Sequence, residues 1–220
     1  MKREVEAAAL FDCRVPYLRA LFAAHRYPWE LLGEIGSRAA ALVRNEIEGF
    51  RKVADGVLVG EGCRIHESAV LIGPAILGAG CEVRPGAYLR GGVITGEGCV
   101  IGNSCELKNC ILLDGVQAPH YNYIGDSVLG NRAHLGAGAI CSNLKAGGSD
   151  VTVHGERDYE TGRRKVGAFL GDGADIGCGC VLNPGTVVGK ATSVYPLLAL
   201  RGVYPAGCIV KDEMHTVPRL

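Results

Sequence analysis

The sequence predicts an all-β fold, a single-stranded parallel β-helix of hexapeptide repeats with an N-terminal helical cap and one protruding arm. Glycine makes up 33 of the 220 residues, about twice its ordinary share, without the G-X-Y period of collagen. From Val59 to Leu113 an aliphatic residue returns every six residues, with one exception. Six residues rotate a helix by about 600°, which is not a whole number of turns, so an amphipathic helix is excluded. Three strand hexads can instead form a triangular coil, and the next coil stacks about 4.8 Å above it.

Each hexad has one inward position and one small position near a corner. The expected inward residues are Val59, Ile65, Leu71, Leu77, Val83, Leu89, Thr95, Ile101, Leu107 and Leu113. Four residues after each stands a small or apolar residue, from Cys63 to Ile111. The phase slips around residues 118–128, resumes with Leu129, and returns after a break over residues 170–189.

Two segments interrupt the repeat. Residues 1–54 are predicted to be a helical cap, with helices over residues 5–22 and 28–50 that cover the open strand edges of the first coil. Binding of a substrate or partner is the alternative role for this segment. Residues 55–220 form the β-helix domain, in which residues 144–165 are a protruding arm reaching toward a neighbouring subunit, with a strand over residues 151–153. Residues 193–220 are expected to leave the β-helix as a C-terminal tail.

Composition excludes several classes of protein. The 23 basic and 23 acidic residues cancel, which argues against a general binder of nucleic acid or membrane surfaces. No apolar run approaches the ~20 residues of a membrane span. The N-terminus carries acids where a signal peptide would have its apolar stretch. With ten cysteines and no export signal, we expect a reduced, cytoplasmic protein.

The cysteines predict buried thiols rather than a metal site. Cys63, Cys81 and Cys99 are 18 residues apart, one full coil, so they should stack at the inward small position as small hydrophobes. No C-x-x-C pair exists, and no metal is expected. Cys178 faces outward by parity and is a candidate site residue.

Candidate catalytic residues gather where the register is lost, which often marks function. Glu106 and Lys108 flank the inward Leu107 and therefore share the outward side of one strand. His120, Tyr123 and Asn143 follow. The outside of a narrow β-helix has no pocket of its own, so a neighbouring subunit must complete one, which predicts a cyclic oligomer.

This stretch resembles the acetyltransferase domain of the bifunctional glucosamine-1-phosphate acetyltransferase / N-acetylglucosamine-1-phosphate uridyltransferase family. The family's Glu-x-Lys, its His-x-x-Tyr-x-Gly-Asp motif and a later Asn fall on Glu106, Lys108, His120, Tyr123 and Asn143. Residues 161–168 resemble the archaeal-type relatives, and the resemblance covers about residues 57–192. It implies a left-handed β-helix, a homotrimer and acetyl-CoA as co-substrate.

The resemblance also implies residue roles. His120 would be the general base, Lys108 would bind a sugar phosphate, and Tyr123 and Asn143 would line the sugar site. Acyl transfer to an amine needs a base that works near neutral pH, which suits histidine. The second phosphate cation is either Arg84, which keeps an Arg-Pro-Gly motif, or Arg90, one coil beneath Lys108.

Three departures from the family restrict this interpretation. His134 stands where the family has an asparagine, so the sugar pocket differs. Cys178 stands where a serine faces the cofactor. No nucleotidyltransferase domain precedes the repeats, so uridylyl transfer is expected to be absent. Candidates for the cofactor phosphates are Arg163, Arg164 and Lys165, which could also be an ordinary solvated loop, or Arg201.

The favoured function is acetyl-CoA-dependent N-acetylation of an amino-sugar phosphate, or of a nucleotide-linked amino sugar. The product is expected to be a cell-envelope precursor. An acyltransferase with another acceptor or acyl chain is one alternative. A catalytically silent β-helix that acts as a scaffold or regulatory subunit is another.

Overall fold

Parallel strands stack in three columns, and each column forms one face of a β-helix. The structure, a computed structural model, describes residues 4–212 and 215–219. The covered face comprises Val57–Gly60, Ala75–Leu77, Val93–Thr95, residues 110–112, residues 127–129, Ala168–Leu170, Thr186–Val188 and Val203–Tyr204. The charged face comprises Arg64–Ile65, Glu82–Val83, Val100–Asn103, Gln117–His120, His134–Leu135, Asp175–Ile176, Ser193–Val194 and Cys208–Val210. The open face comprises Val70–Ile72, Tyr88–Arg90, residues 106–108, residues 123–125, Ile140–Cys141, Val181–Leu182 and Ala199–Leu200.

The interior is a stack of aliphatic side chains and small corner residues. Leu89 pairs with Leu107, and Val83 pairs with Ile101, each pair 18 residues apart. Cys81, Cys99 and Cys105 are fully buried in the same core. These pairings confirm the predicted fold class, a parallel β-helix of hexapeptide repeats.

The register shortens earlier than the sequence pattern indicated. Leu112, not Leu113, pairs with Thr95 and points into the core, so this coil has 17 residues. Leu113 packs outside the β-helix, as does Ile111, while Cys110 points inward. The physical reason is a tighter corner at Asn109, whose φ of 47° lets the chain turn with one residue fewer. The strands Glu106–Leu112 and Tyr123–Leu129 therefore run continuously around this corner.

The covered face is apolar on its outer side as well. Its outward residues are Leu58, Ile76, Ile94, Ile111, Val128, Phe169, Val187 and Val203, all buried. They pack against residues 5–45, the helical segment, which buries Leu10, Leu18, Trp29, Leu31 and Ile35 against them. The helical segment thus lies along a side face and not over the first coil, where it was expected. The edge of Val57–Gly60 is covered instead by the antiparallel strand Phe50–Ala54.

The helical segment contains short helices. They are α1 (Ala7–Leu10), α2 (Arg19–Ala24), α3 (Pro28–Leu31) and α4 (Ile35–Asn45). The single helix expected over residues 5–22 is broken, because Pro16 lacks the amide hydrogen that a continuous helix needs there. Pro28 begins α3, as a proline in a first turn should.

The expected arm is a hairpin that folds back on its own chain. Thr152–His154 and Asp158–Glu160 pair antiparallel. Val151 and Val153 are fully buried with the outer side of the covered face, and Tyr159 contacts Trp29 at 5.9 Å between ring centroids. The segment does not protrude, because its two valines bury apolar surface that a free arm would expose.

The β-helix also continues past Val194. Ser193–Val194 pairs with Cys208–Val210, and Thr216–Pro218 then pairs antiparallel with Cys208–Val210. The expected tail from residue 193 is therefore mostly solenoid, because inward residues such as Leu200 and Val210 keep filling the core. Residues 1–3 of the expected cap, and residues 213, 214 and 220 of the expected tail, lie outside the described residues. Within the described part of the chain, no helix has the length and apolarity to cross a membrane.

Candidate functional site

Four of the sequence-predicted residues meet on the open face. Glu106 lies in register with Tyr88 on one side and Tyr123 on the other. Lys108 follows Leu107, and Arg90 follows Leu89, its partner one coil below. Arg90 and Lys108 are thus successive outward residues of one column, about 4.8 Å apart along the solenoid axis.

Arg90 is held by Glu106. The Arg90 guanidinium donates to the Glu106 carboxylate at 2.6 Å between Nη1 and Oε1, and it lies over the Tyr88 ring at 5.9 Å from the centroid. Both charged side chains are about two-fifths exposed. A guanidinium has five N–H donors, so this ion pair leaves Arg90 free to bind a second anion.

Lys108 faces a buried carboxylate. Its Nζ lies 4.0 Å from Oδ2 of Asp126, whose side chain is only 7% exposed. Asp126 accepts hydrogen bonds from the side-chain amides of Asn109 and Asn143. Each of these three polar residues follows the previous one by 17 residues, which is one short coil. They therefore form a ladder along the corner between the open and covered faces, which we call the Asn109 corner.

Tyr123 and Asn143 converge over Gly125. A Cβ at Gly125 would lie 2.5 Å from the Tyr123 hydroxyl and 2.7 Å from Nδ2 of Asn143, so only glycine leaves both polar groups their space. Burial raises the pKa of the Tyr123 phenol, the charges of Asp126 and Glu106 raise it further, and a hydrogen bond from Asn143 opposes them. Tyr123 therefore stays protonated at neutral pH and can donate a hydrogen bond.

His120 stands beside the open face, at the corner with the charged face. This His120 corner runs through residues 103–104, 120–121, 137–138 and 178–179, whose backbones hydrogen-bond from coil to coil. His120 is exposed, and its imidazole makes no hydrogen bond to any residue in the described ranges. Its backbone amide donates to Oδ1 of the buried Asn122, and Nδ2 of Asn122 donates to Gly136 O at 2.8 Å. Asn122 thus braces a turn in which Tyr121 has a φ of 52°.

The charged face holds His134 and Arg84, away from Lys108. Nδ1 of His134 lies 2.7 Å from Oδ1 of Asp175. Arg84 is paired with Glu82 at 3.0 Å on the same face. Of the two candidate phosphate cations, Arg90 shares the face of Lys108 and Arg84 does not.

The candidate cofactor residues fall at two different edges of the open face. Cys178 is exposed at the His120 corner, two coils from His120. Arg201 lies beyond Leu200 near the Asn109 corner, where Nη2 approaches Nε2 of His154 at 3.1 Å. Of the three basic residues of the hairpin's return, the Arg163 guanidinium lies beside Gly33 and the Arg164 guanidinium donates to Gly148 O, while the backbone of Lys165 forms a β-bridge with Leu144. One chain does not bring these groups together.

Three cavities of this chain lie away from the candidate residues. Cavities of about 290, 490 and 590 Å³ lie near the helical segment and the first coils, and none of these three is lined by Glu106, Lys108 or His120. No group of three potential metal ligands occurs among residues 4–212 and 215–219.

Two residues that the sequence analysis left without a role support this site. Asp126 lies between Asn109 and Asn143, and their common 17-residue spacing was a visible signal. Asn122 occupies the inward corner position of Cys105 and Ala139, where a polar residue among small ones was the signal. Both are buried polar side chains with all partners supplied by the chain.

Comparison with known proteins identifies the relatives of this chain. A family model described as the GMPPB C-terminal domain matches residues 71–159. Bifunctional protein GlmU of Methanococcus maripaludis (strain C7) is 37% identical over 167 residues, 74% of this chain and 41% of that protein. The relatives matched by this chain are bifunctional proteins, one of which is named a sugar-1-phosphate nucleotidylyltransferase/acetyltransferase. The resemblance predicted from the sequence is confirmed.

The match covers only part of these proteins. A bifunctional sugar-1-phosphate nucleotidylyltransferase/acetyltransferase of Sulfurisphaera tokodaii is 37% identical over 98 residues, 44% of this chain and 24% of that protein. The chain thus spans less than half the length of the curated relatives it matches. Among solved structures, the acetyltransferase domain of PglB from Neisseria gonorrhoeae in complex with acetyl coenzyme A aligns with a TM-score of 0.40 at 18% identity. That alignment covers 74% of this chain and 57% of that one.

Proposed function

We propose that this chain transfers an acetyl group from acetyl-CoA to the amine of an amino-sugar phosphate or of a nucleotide-linked amino sugar. The observation that carries the proposal is the convergence of Arg90, Glu106, Lys108 and Tyr123 on one face, beside the exposed His120. The names of the relatives support acetyl transfer and a sugar-phosphate acceptor.

His120 is the general base of the proposed reaction. The acceptor nitrogen forms a bond to the thioester carbonyl carbon, and the carbon–sulfur bond breaks. The proton lost by the nitrogen passes to the imidazole of His120 and then to the leaving thiolate of CoA. An exposed imidazole without a hydrogen-bond partner within the described residues is available for this proton, and histidine is the side chain that most often serves as a general base.

Lys108 and Arg90 bind the acceptor phosphate. They follow each other in one column of the open face, whereas Arg84 is paired with Glu82 on another face. The Tyr123 hydroxyl donates a hydrogen bond to the sugar, and Asn143 and Glu106 contact its remaining polar groups.

Acetyl-CoA lies along the His120 corner in this proposal. Cys178 is about two coil spacings, roughly 10 Å, from His120 along that corner, so the pantetheine arm can pass it with the thioester near the base. The phosphates of the cofactor need cations, and Arg163, Arg164, Lys165 and Arg201 lie near the other edge of the open face.

We infer a homotrimer from the same geometry. A neighbouring subunit packed beside the open face would close the cleft and bring its own basic residues toward the cofactor phosphates. Exposed apolar side chains near this region, among them Val70, Ile72, Tyr121 and Leu197, offer surface for such packing.

The test is thiol release from acetyl-CoA with a panel of amino sugars, their 1-phosphates and nucleotide-linked amino sugars. We expect release with at least one acceptor and a loss of about 10²–10⁴-fold in His120→Ala, the usual contribution of a positioned base. The matched control is His66→Ala, which removes an exposed histidine of the charged face bonded to Ser68. No release with any acceptor would favour the silent scaffold, and near-normal turnover in His120→Ala would contradict the assigned base.

A further inference from the structure

The strongest unassigned feature beside the site is the buried carboxylate of Asp126. Its side chain is 7% exposed, and carboxylates are seldom this deeply buried unless they are paired. The Asn109 amide donates to Oδ1 at 2.7 Å, the Asn143 amide donates to Oδ2, and Lys108 Nζ lies 4.0 Å away. Two of these three partners are proposed to contact the acceptor.

We propose that Asp126 is a positioning residue that holds the Lys108 ammonium and, through Asn143, orients the Tyr123 hydroxyl toward the acceptor. This inference rests on the proposed function and deepens it, because Asp126 itself does not touch the substrate. A carboxylate only accepts hydrogen bonds, so it forces the side-chain amides of Asn109 and Asn143 to present their N–H groups to it.

The direction of these hydrogen bonds decides which donors the site offers to the acceptor. Nδ2 of Asn143 faces Asp126 and also lies, with the Tyr123 hydroxyl, over Gly125. The Asn143 amide nitrogen thus lies beside the Tyr123 hydroxyl, and an N–H donated to the phenol oxygen there leaves the Tyr123 proton for donation to the acceptor. With a neutral amide in place of Asp126, the Asn143 side chain can rotate so that its oxygen faces the phenol. Tyr123 would then donate its proton to Asn143 instead of to the acceptor.

The helical segment helps to hold Asp126. Nδ2 of Asn109 also donates to the carbonyl oxygen of Leu32 at 3.2 Å, and the backbone oxygen of Asp126 accepts from Gly167 N at 2.7 Å. Asp126 is thus fixed between the helical segment, which covers one face, and the chain returning from the hairpin. These contacts explain how an ammonium on an otherwise open surface is kept in one place.

The fold provides a matched control at another corner. Asp172 accepts from the backbone and side chain of Asn131 at 2.8 and 2.9 Å and from Asp12 N at 2.9 Å. It is also 15% exposed and paired with Lys190. Asp172→Asn removes a similar bonded carboxylate without touching the open face.

The kinetic test compares the Asp126→Asn and Asp172→Asn variants per folded molecule. We expect Asp126→Asn to lower kcat/KM at least about tenfold with the preferred acceptor, and Asp172→Asn to change only the melting temperature. Because Asp126 acts through its partners, adding Asp126→Asn to a Lys108→Ala/Asn143→Ala variant should change kcat/KM less than about threefold. Unchanged kcat/KM in Asp126→Asn, or a full additional loss in the combined variant, would overturn the inference.

A second readout needs no turnover. The charge of Asp126 raises the pKa of the Tyr123 phenol and the Asn143 hydrogen bond lowers it, so the charge is tested in an Asn143→Ala background, where no flip of Asn143 opposes it: there Asp126→Asn should lower that pKa, while Asp172→Asn leaves it unchanged. Tyrosine labelled with ¹³C at the ζ carbon reports the titration by NMR, and Tyr123→Phe assigns the signal. If the wild-type chain transfers acetyl to no acceptor, the proposed function fails and this titration still decides the contact. An unchanged Tyr123 titration when Asp126→Asn is added to Asn143→Ala refutes the positioning role.

Discussion

Replacement of Phe169 by alanine should open the interface between the helical segment and the covered face. Phe169 is fully buried although it points outward from the β-helix, and its ring lies 6.1 Å from that of Trp29. Its burial depends entirely on the helical segment and hairpin packed over it. The substitution therefore tests whether the outer side of this face is a true second core.

The expected loss follows from the buried area. A phenylalanine side chain buries about 150–250 Å², which at about 25 cal/mol/Å² corresponds to about 4–6 kcal/mol of transfer free energy. The retained Ala methyl group and partial collapse of the cavity reduce the loss, and measured Phe→Ala substitutions in cores cost about 3–5 kcal/mol. Val70→Ala is the control, because Val70 is 53% exposed on the open face and should change stability by at most about 0.5 kcal/mol.

Urea unfolding followed by tryptophan fluorescence measures this loss directly. Trp29 is the sole tryptophan of the chain and is 4% exposed, so its emission reports on the helical segment. With a urea dependence of about 1–3 kcal/mol/M, the transition of Phe169→Ala should move to lower urea by at least about 1 M. A shift no larger than that of Val70→Ala would refute the packing argument.

Three further outcomes are expected. Lys108→Ala should raise the Michaelis constant for a phosphorylated acceptor more than for one without phosphate, whereas Arg84→Ala should leave both constants unchanged; steady-state kinetics with the two acceptors decides this. The exposed thiol of Cys178 should react with iodoacetamide at pH 8 far faster than the other thiols, because burial raises the pKa of Cys13 to about 11 and that of Cys141 to about 12. Acetyl-CoA should slow this reaction. Mass spectrometry of the modified peptides measures it, and a cysteine other than Cys178 modified first would contradict the prediction. Light scattering at micromolar concentration should give the mass of a trimer, and a fully active monomer would contradict the proposed cleft.

Much of the solenoid was predictable because its core repeats along the chain. The aliphatic hexads placed Leu77, Val83, Leu89 and Ile101 inward, and all four are buried in the core. The register slip at Leu112 was misplaced, because two adjacent leucines fit either phase and only the corner at Asn109 decides between them. A local pattern cannot distinguish a corner that is one residue shorter.

The covered face left a signal in the sequence that the hexad pattern did not use. Every third hexad carries a run of apolar residues, as in residues 57–59, 75–77 and 168–170. A strand that is apolar on both sides is buried on both sides. The run indicates that something covers this face, but the partner, the helical segment with the hairpin, is found only through contacts between distant residues.

The candidate site was likewise predicted in part from the sequence and decided in part by the fold. The family resemblance, carried by motif spacing, brought Glu106, Lys108, His120, Tyr123 and Asn143 together as candidates, and parity placed Cys178 outside. Which candidates share a surface is a property of the stacked coils: pairing of Leu89 with Leu107 puts Arg90 under Lys108, while Arg84 turns to the charged face beside Glu82.

The sequence by itself determined the repeat, the inward residues up to Leu107 and the family motif, because each depends on spacing along the chain. The tertiary structure alone decided that the helical segment and hairpin cover one side face, and that Asp126 is buried between Asn109 and Asn143. Burial and hydrogen-bond partners arise between residues that are distant in sequence, and a one-dimensional period carries no information about which surface meets which.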